Sequence, residues 1–535
     1  MFMNKVNFLL SQNDVIGLLP ELFLAISFLI VLIHGSSQLV LVTRLYTYII
    51  PSVSRLTLVI LFLSVILVCN NPVINQTLWG GTFILDYLGL SLKAFIIIIM
   101  FLCVLVSEDY LFLARIRAYE IFVFFIGICL SLCLLISSYD TLSIYLSMEF
   151  LSLIFYTLAA WKKDSGFSAE ASLKYFILGS LASTFYLFGA SLIYFCTGTT
   201  NLGFLCLLLD NCVISTIDIL DYFNVLHFWY DSYKVSYLWL SIDTYNWFDF
   251  APSFILFFGL LFLGSSLLFK IGAAPYHFWV ADVYEGVPSL VSLIFAAVPK
   301  LVIFIVLSRL AFVSSWSFFF ILWKTLFVFC GLLSFFFGCF GGLGEIKIKR
   351  IFAFSGIGHI GFICVSFSCG SLEGAQSMFF YLLIYMVTAV FMWTFVLCLN
   401  SSKKKWLSLV NCVGIVQSNP IFGLIICLMC FSLAGIPPFG GFFAKVFVFI
   451  ALIAKSSFHI VIFAILTSVI SAFYYLRIIK ILFFEGSHLW FFFNPLYKMQ
   501  ALVLSVSSFI VLFFIVDPVY LYLFTYKLSL TLFAN

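Results

Sequence analysis

Residues 267–279, LLFKIGAAPYHFW, and residues 431–449, FSLAGIPPFGGFFAKVFVF, each lie inside a long apolar run and interrupt it with glycine and proline. Proline removes a backbone donor, and its ring clashes with the preceding helical turn. Pro275 in the first stretch and Pro437 and Pro438 in the second therefore break helices that the flanking composition would continue. Each break has a lysine nearby, Lys270 and Lys445, within about 10 Å at the helical rise per residue. Lipid offers no partner to freed backbone groups, so a helix interrupted at membrane depth must line a hydrated cavity. Two such helices in corresponding positions of two halves are the pattern of an inverted repeat built around a transport path.

The rest of the chain agrees with a membrane setting. Of 535 residues, 64% are hydrophobic and 9% charged, with a mean hydropathy of +1.22. A water-facing shell needs roughly a quarter of its residues charged, so this surface faces lipid. The expected fold is an all-α polytopic membrane protein, because a β-barrel would show short alternating segments. At about 20 residues per span the length holds about 14 transmembrane helices and no separate soluble catalytic domain. Apolar runs near 15–34, 49–69, 87–107, 120–137, 139–161, 169–197, 252–285, 287–308, 316–341, 351–370, 376–399, 420–454, 458–483 and 500–524 read as the spans, with helices 7 and 12 discontinuous. Five spans in 120–308 precede five in 316–483, and the break falls in the fourth of each set, as an internal repeat requires. The expected organisation is a three-helix segment (1–119), a first repeat (120–308), an inverted second repeat (309–483) and one C-terminal helix (484–535). Residues 198–250 break the rhythm with Asp210, Asp218, Asp221, Asp231, Asp243 and Asp249 against Lys234. They read as an extended acidic loop at the interface, and 202–222 as an amphipathic surface helix, since each aspartate at a span centre would cost ~2.5–3.5 kcal/mol.

Charge narrows the function. A net charge of +4 argues against a nucleic-acid partner. The fifteen cysteines sit mostly in apolar runs, and Cys427 and Cys430 have no second pair to complete a zinc or iron–sulfur site. No glycine-rich dinucleotide fingerprint or paired haem-ligand histidines occur. The first ten residues, MFMNKVNFLL, have no cleavage site or Arg-rich presequence, so insertion without a removed leader is expected. Of 26 basic residues, fifteen fall at the loops after odd-numbered spans and five at the termini and other loops, including Arg309. That bias puts the odd loops on the cytoplasmic or matrix face, with both termini and the acidic loop opposite.

The remaining six, Lys93, Lys174, Lys270, Lys300, Lys324 and Lys445, fall within spans, and Glu149 joins them. Ionisable groups in lipid are costly, which makes each a functional candidate. Lys93 lies near its helix start and can snorkel to the interface, a structural role that also suits Lys324. Lys174 follows Glu170 by four residues, the spacing of a helical ion pair, and is read equally as structural or functional. Glu149, Lys270, Lys300 and Lys445 lie too deep to snorkel and read as functional. His277 reads as a relay member or as the donor to a broken-helix carbonyl.

SAEASLKYFILGSLASTFYLFGASLIY (168–194), KIGAAPYHFWVADVYEGVPSLVSLIFAAVPK (270–300), KRIFAFSGIGHIGFI (349–363) and the 431–449 stretch together resemble the subunit 2 family (subunit N in bacteria) of respiratory NADH:ubiquinone oxidoreductase, complex I, within the antiporter-like proteins. The resemblance runs from about 120 to 483, and DVYEGVP (282–288) favours subunit 2 over the related sodium/proton antiporter subunits. The three N-terminal spans resemble bacterial, plant and protist members, whereas the acidic loop is longer than is usual there. The resemblance implies a subunit of a proton-translocating reductase that passes protons through Glu149, Lys270, Lys300 and Lys445, with Lys174 and His359 as further polar positions on the axis. It implies no cofactor on this subunit, NADH, FMN, iron–sulfur clusters and ubiquinone belonging elsewhere in the complex. It also implies lipids and subunits 4L, 4 and 5 as partners, and a mitochondrial inner membrane location with both termini on the intermembrane-space side. A stand-alone cation/proton antiporter and a purely structural membrane subunit are the alternative readings.

Overall fold

The computed structural model describes residues 13–41, 46–114, 118–162, 165–208, 247–313, 318–399, 408–413, 415–485, 496–514 and 517–534. Of the acidic loop expected at 198–250, residues 209–246 lie outside them; 202–208 are helical, in keeping with the surface helix expected at 202–222, whereas 247–250 already begin the next helix rather than ending the loop. The described residues are helical nearly throughout, and among them eleven helices are long and apolar enough to cross a membrane. The N-terminal segment holds α1 (Leu19–Leu41), α2 (Tyr46–Cys69) and α3 (Tyr87–Ala114). The first set of five follows: α4 (Glu120–Ser137), α5 (Thr141–Ala159), α6 (Gly166–Thr197), the broken pair α7 (Trp247–Ile271) and α8 (Phe278–Gly286), and α9 (Ser289–Val313). The second set is α10 (Phe318–Leu343), α11 (Ile348–Phe367), α12 (Leu372–Leu399), the broken pair α13 (Pro420–Ala434) and α14 (Gly440–Ala454), and α15 (Phe458–Phe483).

Helix ends follow local chemistry. Asp140 caps α5 by accepting the Leu142 N–H at 3.1 Å, and Asn419 caps α13 with Pro420 in the first turn, where no amide partner is lost. The two breaks are each turned by a glycine in the left-handed region, Gly272 and Gly435, both at φ +80°. The third helix of each set packs along the broken fourth, and the sets lock together through α9 on α12 and α8 on α11. Every residue of the apolar window Ser289–Ala311 in α9 is buried, whereas α1, α6 and α15 present leucine, isoleucine and phenylalanine outward. The molecule's centre is therefore the α9–α12 seam, and the outer helices present an apolar surface.

Several expectations change. The last span, 500–524, is two helices, α16 (Lys498–Phe513) and α17 (Val519–Ala534). Pro518 supplies no amide, and Asp517 Oδ1 accepts the Val519 N–H at 2.8 Å, so a new helix starts there. A hairpin of β1 (Gln76–Leu78) and β2 (Phe83–Leu85) interrupts the all-helical pattern between α2 and α3. Lys93 does not snorkel: it is 1% exposed and ion-paired with Glu21 of α1. Arg309 is buried rather than in a loop, its Nη2 reaching Asp86 Oδ1 at 2.8 Å and Oδ2 at 3.0 Å while Nη1 approaches the Ser138 carbonyl at 3.4 Å. Lys349, grouped by its sequence position with the loop cations, is also buried and donates to the Val287 carbonyl at 2.7 Å, just beyond the end of α8. Lys324 is exposed on α10.

Candidate functional site

Glu149 projects from the middle of α5, and Lys270 lies in the last turn of α7, directly before the Gly272 turn. A helix C-terminus favours a cation, and here it has a carboxylate as well. Lys270 Nζ reaches Glu149 Oε1 at 3.4 Å, a loose contact, and Ser152 Oγ donates to Glu149 Oε2 at 3.2 Å. The side chains are 11% and 23% exposed respectively, so the pair is neither sealed nor open. At the break the Phe269 carbonyl accepts from the Gly272 N–H and from Trp279 Nε1, both at 3.0 Å. A small pocket borders Lys270, Ser152, Tyr175 and Trp279, and also Pro299 and Ile303 on α9.

Those two α9 residues flank Lys300, which is 3% exposed and follows Pro299. Its Nζ donates to Tyr385 Oη at 2.6 Å and stands 4.7 Å from that ring's centroid. His359 lies on α11, with Nδ1 2.7 Å from Tyr381 Oη and Nε2 3.3 Å from Tyr475 Oη. Lys445, on α14, is 6% exposed and reaches back across its own break to the Ala434 carbonyl at 2.8 Å and the Leu433 carbonyl at 3.3 Å. A second small pocket borders His359, Lys445, Ser355, Thr467 and Tyr475. Glu149, Lys270, Lys300, His359 and Lys445 thus form an interior series crossing both helix sets, with hydroxyls and cavities between them. Groups of this kind can exchange protons, provided water fills the cavities.

Lys174 lies apart from that series. It is 43% exposed and pairs with Glu170 at 2.8 Å, the expected helical spacing, and with Asp282 at 3.0 Å. Asp282 also holds Arg350 at 2.9 Å, and Glu285 pairs with both Arg350 and Lys347. This surface network ties α6, α8 and α11 together. His277 packs against Phe337 in a tilted arrangement, with 4.5 Å between ring centroids. Among the described residues no group of three or more His, Cys, Asp or Glu could hold a metal ion. The sequence reading missed Tyr381, Tyr385 and Tyr475. The available signal was the four-residue spacing of Tyr381 and Tyr385 on one helical face, which is faint in a chain that is 20% aromatic.

Residues 138–471 match the model of the family described as NADH:quinone oxidoreductase/Mrp antiporter, TM. The NADH-ubiquinone oxidoreductase chain 2 of Marchantia polymorpha is 32% identical over 524 residues, covering 97% of this chain and 99% of that one. Among solved structures, a chain of the archaeal membrane-bound sulfane sulfur reductase superposes with a TM-score of 0.78 at 19% identity, covering 97% of this chain and 98% of that one. A chain of respiratory complex I from Thermus thermophilus does so with a TM-score of 0.70 at 23% identity, covering 94% of this chain and 98% of the other.

Proposed function

The chain belongs to the NADH:quinone oxidoreductase/Mrp antiporter transmembrane family, and from that premise we propose that it is a proton-translocating membrane-arm subunit of respiratory NADH:ubiquinone oxidoreductase, of the chain 2 type. The observation that carries the reading is the contact of Glu149 with Lys270 at the helix break, continued inward by Lys300 and Lys445. Burial disfavours an ammonium and an approaching carboxylate restores it, so movement of Glu149 toward or away from Lys270 switches proton affinity there. Charge repulsion then passes the change to Lys300 and Lys445, which load a proton from one face and release it to the other. Moving one charge through ~180 mV costs about 4 kcal/mol.

In this reading the trigger is redox chemistry in other subunits, which hold NADH, FMN, the iron–sulfur clusters and ubiquinone, and this chain carries no redox centre. Its neighbours are other membrane subunits, notably 4L, 4 and 5. It resides in the mitochondrial inner membrane with both termini toward the intermembrane space, the orientation the lysine and arginine bias supports. The test is purification of the native protein in gentle detergent, mass identification of its partners and an NADH:quinone assay. Recovery in a large assembly with NADH:quinone activity supports the reading. Recovery alone, with sodium-dependent transport in vesicles, would replace it with a free cation/proton antiporter.

A further inference from the structure

The carboxylate of Glu149 stands between two donors and is held firmly by neither. Lys270 Nζ reaches Oε1 at 3.4 Å and Ser152 Oγ reaches Oε2 at 3.2 Å, whereas a bond from a cation or a hydroxyl to a carboxylate closes to about 2.5–2.9 Å at full strength. Ser152 lies one turn beyond Glu149 on α5 and is 4% exposed, so bulk water does not compete for its proton. That single proton has a second acceptor. The Glu149 backbone carbonyl lies 2.9 Å from Ser152 Oγ, the back-bond that serines make inside helices. A rotation of the hydroxyl therefore moves its proton between side chain and backbone, and the group is satisfied in both positions. Tyr156, one turn further along α5, reaches Ser152 and can donate to its Oγ, which leaves the serine's own proton free. The small pocket beside Lys270 borders Ser152 as well, which gives both side chains room to move. Among the described residues, the other titratable groups that face Glu149 are Tyr145 and Tyr156 of the same helix and Tyr175 of α6. Ordinary phenols are uncharged near neutral pH, so the competition is between the Lys270 cation and the Ser152 hydroxyl.

We propose that Ser152 is a positioning residue for the Glu149–Lys270 contact, its hydroxyl holding the carboxylate part-way from the lysine. The inference rests on the proton-translocating reading above and adds a residue to it. With the Ser152 proton on Oε2, part of the carboxylate's charge is drawn to the hydroxyl and Lys270 is held loosely. With that proton turned to the Glu149 carbonyl, the carboxylate is free to close on Lys270. The hydroxyl exchanges one hydrogen bond for another and no covalent bond changes, so neither position leaves a buried donor without an acceptor. A contact that must open and close needs two arrangements of similar energy, and one hydroxyl shared between two acceptors supplies them. Without the hydroxyl, Lys270 is the remaining charged donor and the contact settles in its closed form.

The test uses the assembled enzyme in native membranes and follows proton-coupled NADH:quinone turnover against pH. Ser152→Ala removes the competing donor and tightens the contact. It is expected to retain NADH:ferricyanide activity, which reads assembly, and to lose about 10-fold in coupled turnover at neutral pH, the scale of one hydrogen bond to a charged group. Turnover should recover as pH rises, so that the optimum moves up by about one unit. The sign follows from the lysine: a closer carboxylate holds its proton more firmly, and a more alkaline medium is needed to release it. Ser152→Thr keeps the hydroxyl and should stay within about twofold with the optimum unmoved. In a Glu149→Gln background Ser152→Ala should add no further shift, because the charge it competes for is gone. An unmoved optimum in Ser152→Ala overturns the proposal, whether turnover is unchanged or falls equally at every pH, the latter being the mark of a packing role. A shift in Ser152→Thr equal to that in Ser152→Ala overturns it as well. The functional reading fails separately, if Glu149→Gln and Lys300→Ala both pump at full rate. Should Ser152→Ala fail to assemble, Ser152→Cys, a weaker donor of similar size, takes its place and is expected to move the optimum the same way by less, with an unmoved optimum again overturning the proposal.

Discussion

The two broken helices share a backbone but not a chemistry. Both turn on a glycine at φ +80°, yet Lys270 precedes its glycine by two residues and Lys445 follows its own by ten. The first lysine leans on a carboxylate from a different helix at 3.4 Å, whereas the second is held by carbonyls of its own interrupted helix at 2.8 and 3.3 Å. A carboxylate can move or take up a proton, and a helix-end carbonyl can do neither. The two breaks thus share a backbone turn and differ at their ends, one adjustable by its partner and the other fixed by backbone dipoles.

That contrast can be broken most severely at Lys445. Lys445→Ala should lower coupled NADH:quinone turnover by about 100-fold or more, on the scale of lost acid–base groups, with ferricyanide activity retained; full pumping in this variant would remove Lys445 from the path. Next in size is the first-repeat pair. Glu149→Ala leaves a largely enclosed lysine without its carboxylate and should destabilise the protein by about 1–3 kcal/mol, whereas adding Lys270→Met should recover much of that loss. A thermal-shift double-mutant cycle reads the coupling, and strictly additive changes would mean the 3.4 Å contact carries no energy. The glycines sharpen the comparison further. Alanine at either position is strained by about 1–3 kcal/mol, but the methyl of Gly435→Ala would stand 2.8 Å from Lys445 Nζ, and that of Gly272→Ala 2.5 Å from Val280 Cγ2. Gly435→Ala should therefore change turnover as well as melting temperature, and Gly272→Ala mainly the latter. The smallest effect is expected at Lys174→Ala, where water screens an exposed pair. Turnover should stay within twofold, and a large loss would bring Lys174 onto the axis.

The breaks and the deep lysines were legible because proline and charge are rare in apolar runs, so each stands out singly. Groups that matter through a partner distant in sequence were not. Lys93 looked like a snorkelling residue because its position near a helix start is visible and its partner, Glu21, lies 72 residues away. Arg309 looked like a loop cation for the same reason, with Asp86 223 residues distant. The tyrosines were hidden by abundance, since only Oη positions within hydrogen-bond reach of Lys300 and His359 separate them from packing aromatics. The split of the last span was readable from Asp517 and Pro518 but was masked by apolar residues on both sides.

The Asp86–Arg309 pair also sets a rule for shortening this chain. Deleting residues 1–119 would remove Glu21 and Lys93 together, and that part of the cut is electrically silent. Asp86 would leave without Arg309, stranding a guanidinium that is 9% exposed with only a distant backbone carbonyl for company, a loss on the order of 3–5 kcal/mol for a broken buried pair. A viable truncation must therefore change Arg309 in the same step, or dock against a neighbour that brings a carboxylate to the same place.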